Sequence, residues 1–321
     1  MSRSTLPRRA LGLVALALLA AVLAARIGRA PLLFDALALG QSHLSVAAGA
    51  LAAGALALRS WRTAAAGALA AGLALASTPA LWTSAARPAA EGPTAALTVA
   101  TANLNFRNAR LPELTEALLA LDADLLVTQE TPEALLAPEG RLAATYPHLR
   151  WWRHEDGPGA LAIWSRLPFA EPAERERQGS HPQHLFATVA LPGGGRLQVM
   201  AVHMGWDRLR QQEWTLQDFN RFWPSMRPPT LVAGDFNAAP SSAALRRVAD
   251  ITRTEVLGGY RPTWTGGSAE FPLRLPAFAG LPVDHLLVSP GIGAEGARTA
   301  DLPGSDHRAV AARLIVPDRA P

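Results

Sequence analysis

The sequence predicts a mixed α/β domain that follows an N-terminal membrane region. Apolar residues are unevenly spread over the 321 positions, with long Ala/Leu runs before about residue 95 and short apolar runs with turn signals after it. Helix-like stretches lie between several of the later runs, as in layered α/β domains. We therefore expect a transmembrane region over residues 1–83, a linker over 84–95 and a folded domain over 96–321.

Three apolar runs predict membrane-spanning helices, over about residues 10–25, 39–58 and 63–82. The first run is marginal at about 1.5 Å per residue, but flanking Arg side chains can extend it by snorkelling. Since basic residues precede this run, a cleaved signal peptide is an alternative. A second alternative is that the runs form buried helices of a soluble protein. This alternative is weaker, because the runs lack the polar stripe that would face water. The first part of the chain is thus expected to contact a lipid bilayer.

The arginines that flank these runs predict an orientation, because basic residues in short loops favour the cytoplasm. With the N-terminus inside, five arginines lie on cytoplasmic flanks and three on outer flanks. The five are Arg3, Arg8, Arg9, Arg59 and Arg62, and the three are Arg26, Arg29 and Arg87. We therefore expect a multi-pass protein of the cell (inner) membrane whose folded domain is extracytoplasmic, that is, periplasmic.

The surplus of basic residues behind the net charge of +4 lies in the membrane part. Eight of the 30 basic residues and two of the 26 acidic residues precede residue 96, which leaves 22 Arg against 24 acids and a charge of −2. Binding nucleic acid without sequence preference usually requires a basic surface, and the folded domain has no such net surplus.

The chain also contains no Cys, which excludes disulfides, thiolate chemistry and Cys-ligated metals.

Nine strand-like runs and three helical patterns follow residue 96. The strand-like runs are 97–105, 125–129, 149–154, 160–165, 185–191, 197–203, 230–234, 285–289 and 307–316, and the helical patterns are 112–121, 208–223 and 241–251. The two runs that flank Gly193 to Gly195 read as a hairpin. The predicted sheets are therefore mixed in strand direction.

Two of these runs lead directly into carboxylates. Glu130 closes the run 125–129, where a carboxylate is costly to desolvate unless a cation or strong donors meet it. Asp235 closes the run 230–234, and Asn237 lies on the same face of an extended chain two residues later. The alternative is that each is an ordinary exposed turn residue. The functional interpretation is a site for a cation and a phosphoryl group.

Two histidines occupy comparable positions. His203 ends an apolar run and is equally well read as a core residue or as a catalytic one. Asp306 and His307 are adjacent, so in an extended chain they point to opposite faces and each needs another partner. Asp284 is the natural partner of His307, because a carboxylate on one ring nitrogen fixes the tautomer and leaves the other nitrogen free.

These acids can share one rim of the sheets. Glu130 and Asp235 end their strands, whereas Asp284 and Asp306 begin theirs, and antiparallel neighbours place such ends side by side. Clustered acids repel one another unless a metal ion neutralises them. Oxygen ligands without Cys favour Mg²⁺, or Mn²⁺, over Zn²⁺.

The ordered motifs of residues 96–316 resemble the endonuclease/exonuclease/phosphatase superfamily, and in particular its bacterial members with three N-terminal spans. The motifs are Thr101-Ala102-Asn103, Gln129-Glu130, Val202-His203, Gly234-Asp235-Phe236-Asn237, Pro262-Thr263-Trp264, Val283-Asp284-His285 and Ser305-Asp306-His307. The resemblance implies a four-layer sandwich in which two mixed sheets pack face to face with helices outside.

The resemblance also implies a role for each residue. Glu130 would be the principal metal ligand, with Asn103 and Asp306 completing the metal and phosphate environment. Asp235 would orient or deprotonate the attacking water, and Asn237 would hold the phosphate. His307, backed by Asp284, would act as general acid/base or transition-state stabiliser, and His203 would contact phosphoryl oxygens. Glu155 and Asp156 are candidates for the carboxylate partner of His203.

The implied activity is Mg²⁺-dependent hydrolysis of a phosphoester, preferentially a phosphodiester, by in-line attack of an activated water. The substrate could be a lipid headgroup, a nucleic acid or a small molecule, and no protein partner is inferred. An extracytoplasmic nuclease and an inactive phosphate- or lipid-binding module are the alternatives. The loop 266–280 and Trp151, Trp152, Trp206 and Trp214 bear on the choice between lipid and nucleic acid.

Overall fold

The computed structural model describes residues 5–26, 33–78, 85–153, 159–170, 184–205, 216–217, 227, 229–259, 261–268 and 271–319. The chain forms two compact units. The first comprises residues 1–82 and 238–246, and the second comprises residues 83–237 and 247–321.

The first unit is helical, with α1 at Thr5–Arg26, α2 at Leu33–Leu39, α3 at Gln41–Ala57 and α4 at Trp61–Ala76. The stretch Arg8–Arg26 of α1 has a mean hydropathy of 1.9 and is long enough to cross a membrane; a signal sequence would have the same properties. At about 1.5 Å per residue, α3 and α4 are each shorter than the roughly 30 Å apolar layer of a bilayer. Among the described residues, one helix is long and apolar enough to cross a membrane, and the other two predicted spans stay predictions.

Small residues dominate the contact between α3 and α4. The buried residues of α3 include Ala48, Ala52 and Ala55, and those of α4 include Gly67 and Ala70. A Cβ atom at Gly67 would lie 3.0 Å from the Ala48 carbonyl oxygen. Close packing through small residues is typical of helix pairs in membranes.

The second unit is built on eleven described strands. They are β1 Thr94–Asn103, β2 Leu125–Thr131, β3 His148–Arg153, β4 Ala160–Ser165, β5 His184–Ala190, β6 Arg196–His203, β7 Thr230–Asp235, β8 Glu255–Val256, β9 Asp284–Val288, β10 Gly293–Asp301 and β11 Arg308–Pro317. One sheet has the order β10-β11-β1-β2-β4-β3 and the other β5-β6-β7-β9-β8. Parallel pairing of β1 with β2 and of β6 with β7 makes both sheets mixed.

The main core lies between the two sheets. Alternate residues of β1, such as Leu97 and Val99, belong to the same buried cluster as Leu197 and Val199 of β6. The opposite face of β1 and β2 packs on helices α5 (Leu111–Leu119) and α6 (Arg141–Thr145). A further helix, α7, spans Ala243–Thr252. This arrangement confirms an α/β fold with two mixed sheets and flanking helices. Of the predicted helix 208–223, only residues 216 and 217 are described.

The register of the strands brings the predicted functional residues to one edge. Asn103, at the end of β1, pairs with Gln129 of β2. His203 of β6 pairs with Asp235 of β7, and Asp235 pairs with Asp284 of β9. Residues 305–307 precede β11, which runs antiparallel to β1. The predicted common rim is therefore present.

Candidate active site

Asp235 lies at the centre of this rim and is fully buried. Its Oδ1 accepts a 2.8 Å hydrogen bond from the Asn237 backbone N–H, and its Oδ2 accepts one of 3.0 Å from Asn103 Nδ2. The Nε2 atoms of His203 and His307 both lie 3.8 Å from Oδ2. Burial, with the charge of Asp284 second, raises the pKa of Asp235 to about 6, against opposing contributions from the two histidines. This carboxyl group can therefore exchange a proton near neutral pH.

His307 is paired with Asp284, as the sequence predicts. Its Nδ1 lies 2.8 Å from Asp284 Oδ2, and both side chains are buried. Thr263 Oγ1 accepts the backbone N–H of Asp284 at 3.1 Å and so holds the start of β9. Burial opposes a positive charge on the imidazole, but the carboxylates of Asp284 and Asp235 outweigh it and raise the pKa of His307 to about 10. At neutral pH, His307 is therefore a cation.

Glu130 combines backbone strain with partial exposure. Its φ is +49°, in the left-handed region that non-Gly residues rarely adopt, at an irregularity in the pairing of β2 with β4. A Cβ atom at Gly159 would lie 2.7 Å from the Glu130 backbone, so this conformation depends on the glycine. The Glu130 side chain is 20% exposed, whereas that of Asp235 is buried. Such strain costs about 1–3 kcal/mol and clusters at functional sites.

Asn103 and Asp306 are linked by the turn that follows β1. Asn105, with φ +58°, donates its backbone N–H to Asn103 Oδ1 at 3.0 Å and its Nδ2 to Asp306 Oδ1 at 3.4 Å. Trp264 Nε1 donates to the other oxygen of Asp306 at 3.2 Å. Asn103 Nδ2 also donates to Glu130 Oε1 at 3.1 Å. Three oxygen-bearing side chains are thus fixed in one hydrogen-bonded group.

His203 and Asn237 complete the predicted set. His203 Nε2 lies 3.7 Å from Glu130 Oε1, so its ring faces two site carboxylates, those of Glu130 and Asp235. Asn237 has a φ of +47° and donates its Nδ2 to the Met204 carbonyl at 2.7 Å. Glu155 and Asp156, the candidate partners of His203, lie outside the described residues. All eight predicted site residues therefore lie on one rim.

Two sets of side chains at this rim could hold a metal ion. Ligand atoms of Asp235, Asp284 and His307, which we call the buried trio, lie within 4.8 Å of one another. Within the trio, however, Asp284 Oδ2 and His307 Nδ1 already bind each other, and a cationic imidazole is a poor ligand. Asn103, Glu130 and Asp306, which we call the oxygen set, offer the hard oxygen donors that Mg²⁺ and Mn²⁺ prefer. On donor chemistry, the oxygen set is the better fit.

Sequence reasoning assigned no role to several residues that support this site. Asn105, Thr263, Trp264 and Ser305 each hold a site residue through a hydrogen bond. Thr263 and Trp264 were visible only as part of a motif. The position of Asn105 two residues after Asn103 was an available signal, because Asn tolerates left-handed turns.

This rim has the features of a metal-dependent phosphoester hydrolase: a carboxyl group that can take a proton, a cationic imidazole held by a carboxylate, and a set of oxygen ligands. The model of the Endonuclease/Exonuclease/phosphatase family matches residues 100–307, and the chain belongs to this family. Its members are metal-dependent phosphodiesterases, nucleases and phosphatases. No curated protein sequence gives a significant match to the chain.

Solved structures share the fold at low sequence identity. An endonuclease/exonuclease/phosphatase from Beutenbergia cavernae is 21% identical with a TM-score of 0.50, over 69% of this chain and 72% of that one. A family protein from Bacteroides thetaiotaomicron is 16% identical with a TM-score of 0.53, over 70% and 100%. D. rerio TDP2, complexed with a single-strand DNA product, is 17% identical with a TM-score of 0.53, over 68% and 99%. At these identities the likeness concerns the fold.

Proposed function

We propose that the chain is a membrane-anchored, Mg²⁺-dependent phosphodiester hydrolase. The observation that carries the proposal is the environment of Asp235. This carboxyl group has a pKa near neutrality and lies 3.8 Å from a histidine that is held in its charged form. A carboxylate that can accept a proton from water, beside an imidazolium that can offset charge on phosphoryl oxygens, is suited to the hydrolysis of a phosphoester.

In this mechanism Asp235 takes a proton from the attacking water as the water oxygen bonds to phosphorus. The ester oxygen on the opposite side leaves and takes a proton from solvent, while the imidazolium of His307, 3.8 Å from Asp235, offsets negative charge on the phosphoryl oxygens on the side of the attacking water. Asp284 holds His307 in the orientation that aims Nε2 at the substrate. His203 and the side chain of Asn237 contact the phosphoryl oxygens. These residues supply proton transfer and positioning, which contribute about 10²- to 10⁴-fold for a single acid or base.

The oxygen set would hold the cation. Glu130, whose side chain is partly exposed, would be its principal ligand, and Asn103 Oδ1 and Asp306 would complete the environment. A bound Mg²⁺ or Mn²⁺ would offset negative charge on the phosphoryl oxygens. Trp264 and Asn105 hold Asp306 from two sides and keep its carboxylate oriented.

The membrane anchor is part of the proposal. The length and hydropathy of α1 support a span, and the small-residue contact of α3 with α4 supports helix packing in a bilayer. The distribution of Arg residues along the first 87 positions supports a multi-pass arrangement in the cell membrane with an extracytoplasmic second unit.

An assay of the full-length chain in detergent tests this function. The protein is incubated with Mg²⁺, with Mn²⁺ or with a chelator, and with four substrates: a chromogenic phosphodiester, phospholipid vesicles, plasmid DNA and RNA. We expect metal-dependent hydrolysis of the chromogenic ester and of one physiological class. DNA cleavage that falls steeply with salt would instead identify a nuclease, because phosphate contacts release counterions.

An active-site variant and a matched surface variant make this assay specific. Asp235→Asn keeps the shape of the side chain but removes the base, and it should lower the rate on every substrate by at least about 100-fold. Asp122→Asn changes an exposed aspartate that pairs with Arg166, and it should behave as the unmodified protein does. Near-normal hydrolysis by Asp235→Asn, or hydrolysis that the chelator leaves unchanged, would contradict the proposal.

A further inference from the structure

A loop beside the active site exposes large apolar side chains. In residues 271–279, which we call the apolar loop, Phe271, Leu273 and Phe278 are 38%, 62% and 80% exposed. Pro272, Pro276 and Ala277 between them are exposed as well. Phe278 has the highest exposure of any large apolar residue in the described part of the chain. A single exposed apolar residue is ordinary, whereas several in one segment mark an interaction site.

The apolar loop is held in a defined shape. The Leu275 N–H donates to the Thr265 carbonyl at 2.7 Å, and the Gly267 N–H donates to the Phe271 carbonyl at 2.8 Å. Residues 277–279 form a 3₁₀ turn after Pro276. Two prolines also restrict the backbone, which lowers the entropy lost when the loop is fixed against a partner. The exposure of these side chains is therefore a property of an ordered segment.

The base of the loop is attached to catalytic residues. Trp264, whose Nε1 donates to Asp306, lies with its ring centre 5.2 Å from that of Phe271. The backbone N–H of Thr265 donates to the Asp306 carbonyl at 2.8 Å. Arg274 donates to the Ser305 carbonyl at 3.2 Å. A partner bound to the apolar loop would therefore lie next to the Asp306 side of the active site.

The chemistry of the loop fits a lipid surface better than a nucleic acid. Arg274 is the charged residue in the loop, and its guanidinium bonds a backbone carbonyl. Nucleic acid is bound chiefly by neutralising phosphates, and residues 96–321 carry a net charge of −2. The same chain supplies α1, a helix suited to cross a bilayer, so covalent connection keeps the second unit at a membrane surface. Apolar side chains at such a surface gain stability by entering the interface.

We propose that the apolar loop inserts into the lipid surface and that the active site acts on phosphodiesters of lipid headgroups. The choice of substrate rests on the proposed phosphoester hydrolysis, whereas insertion of the loop does not. Insertion would hold the rim with Asp306 and His307 at the level where headgroup phosphates lie.

The absence of Cys from the chain allows a direct test. Single cysteines are introduced into the full-length protein as Phe278→Cys, Leu273→Cys and, as a control, Glu139→Cys at an exposed site in another turn. Each is labelled with an environment-sensitive fluorophore and reconstituted into phosphatidylcholine/phosphatidylglycerol vesicles, with or without doxyl-labelled lipid in both leaflets. Doxyl groups quench a fluorophore that lies within the bilayer interface.

We expect doxyl lipid to remove most of the fluorescence at positions 278 and 273 and little at position 139. Adding Phe278→Asp to the Leu273→Cys protein should abolish the quenching at 273. Equal quenching at all three positions, or none at 273 and 278, would overturn the proposal. Fluorescence at positions 273 and 278 that changes only with protein density would also overturn the proposal, because a second copy of the chain would then cover the loop.

A parallel assay separates failure of the loop proposal from failure of the proposed function. The labelled proteins are given a soluble chromogenic phosphodiester and phospholipid vesicles. If the soluble ester is not hydrolysed, the proposed function fails while the quenching result stands by itself. If the soluble ester is hydrolysed but the lipid is not, the headgroup substrate is excluded.

Discussion

The buried trio and the oxygen set lie side by side but differ in their access to solvent. Asp235, Asp284 and His307 are buried, and Asp284 and His307 are hydrogen-bonded to each other, whereas the Glu130 side chain in the oxygen set is 20% exposed. Burial raises the pKa of Asp235, and the carboxylates of Asp284 and Asp235 raise the pKa of His307 against the effect of burial. One rim of acids is thus divided by its environment into a part that moves protons and a part that can bind a cation.

The largest expected effect follows from removing the base in the buried trio. Asp235→Asn should lower kcat by at least about 100-fold, because the attacking water loses its proton acceptor. Binding of Mn²⁺, measured by calorimetry, should persist, since the oxygen set is intact. Loss of Mn²⁺ binding in this variant would move Asp235 into the metal site.

Glu130→Gln should have the complementary effect. We expect the affinity for Mn²⁺ to fall by at least about tenfold, because a charged ligand is replaced by a neutral one. Excess Mn²⁺ should restore part of the lost rate, whereas it should not rescue Asp235→Asn. Glu133→Gln, which changes a surface glutamate paired with Arg153, is the matched control. An unchanged metal requirement in Glu130→Gln would refute the division between the two sets.

Asp284→Asn should shift the pH dependence of kcat/KM at both ends. The activity requires Asp235 without its proton and His307 with its proton, so it should be highest between about pH 6 and pH 10. The Asp284 carboxylate raises the pKa of both groups. Removing this charge should therefore move both limbs of the profile to lower pH. Asp301→Asn, at an exposed aspartate bonded to Arg308, should leave the profile in place.

The smallest expected effect concerns Trp264, which touches the oxygen set from outside. Trp264→Phe keeps a ring against Phe271 but removes the N–H that Asp306 accepts. Losing such an orienting bond should raise the Mg²⁺ concentration for half-maximal rate by about tenfold. At saturating Mg²⁺ the rate should recover. Trp151→Phe, at an exposed tryptophan, is the control, and an equal effect in both variants would exclude the positioning role.

Strands with strong apolar alternation were predictable from the sequence, and those without it were not. The nine predicted runs correspond to observed strands: β4, at Ala160–Ser165, has the predicted ends, whereas the ends of the others differ by up to a few residues. β10 was missed because its sequence, GAEGARTAD, has Gly, Ala and acidic residues in place of β-formers. It is stabilised by pairing with β11 across a register shift. Tertiary contacts, not local propensity, make this segment a strand.

The pairing of His307 with Asp284 was predictable because adjacent side chains in a strand point apart. The environment of His203 was not predictable, because its neighbours Glu130 and Asp235 come from other strands, and the order of strands in a sheet cannot be read from the sequence. The second and third spans were predicted from composition, which does not register where a helix ends. α3 and α4 have 17 and 16 residues, close to the lower limit of about 17 for a span, so the second and third spans stay predictions.

Gly159 gives this site a vulnerability that lies outside its catalytic residues. Any side chain at this position would meet the backbone of Glu130 and Thr131 within 3 Å. Alanine there would displace the Glu130 main chain while leaving every functional group chemically intact. In a genetic screen, position 159 should therefore yield loss-of-function alleles whose product accumulates normally and has no activity. Such an allele would separate the enzymatic role of the protein in its cell from any role that depends on its presence alone.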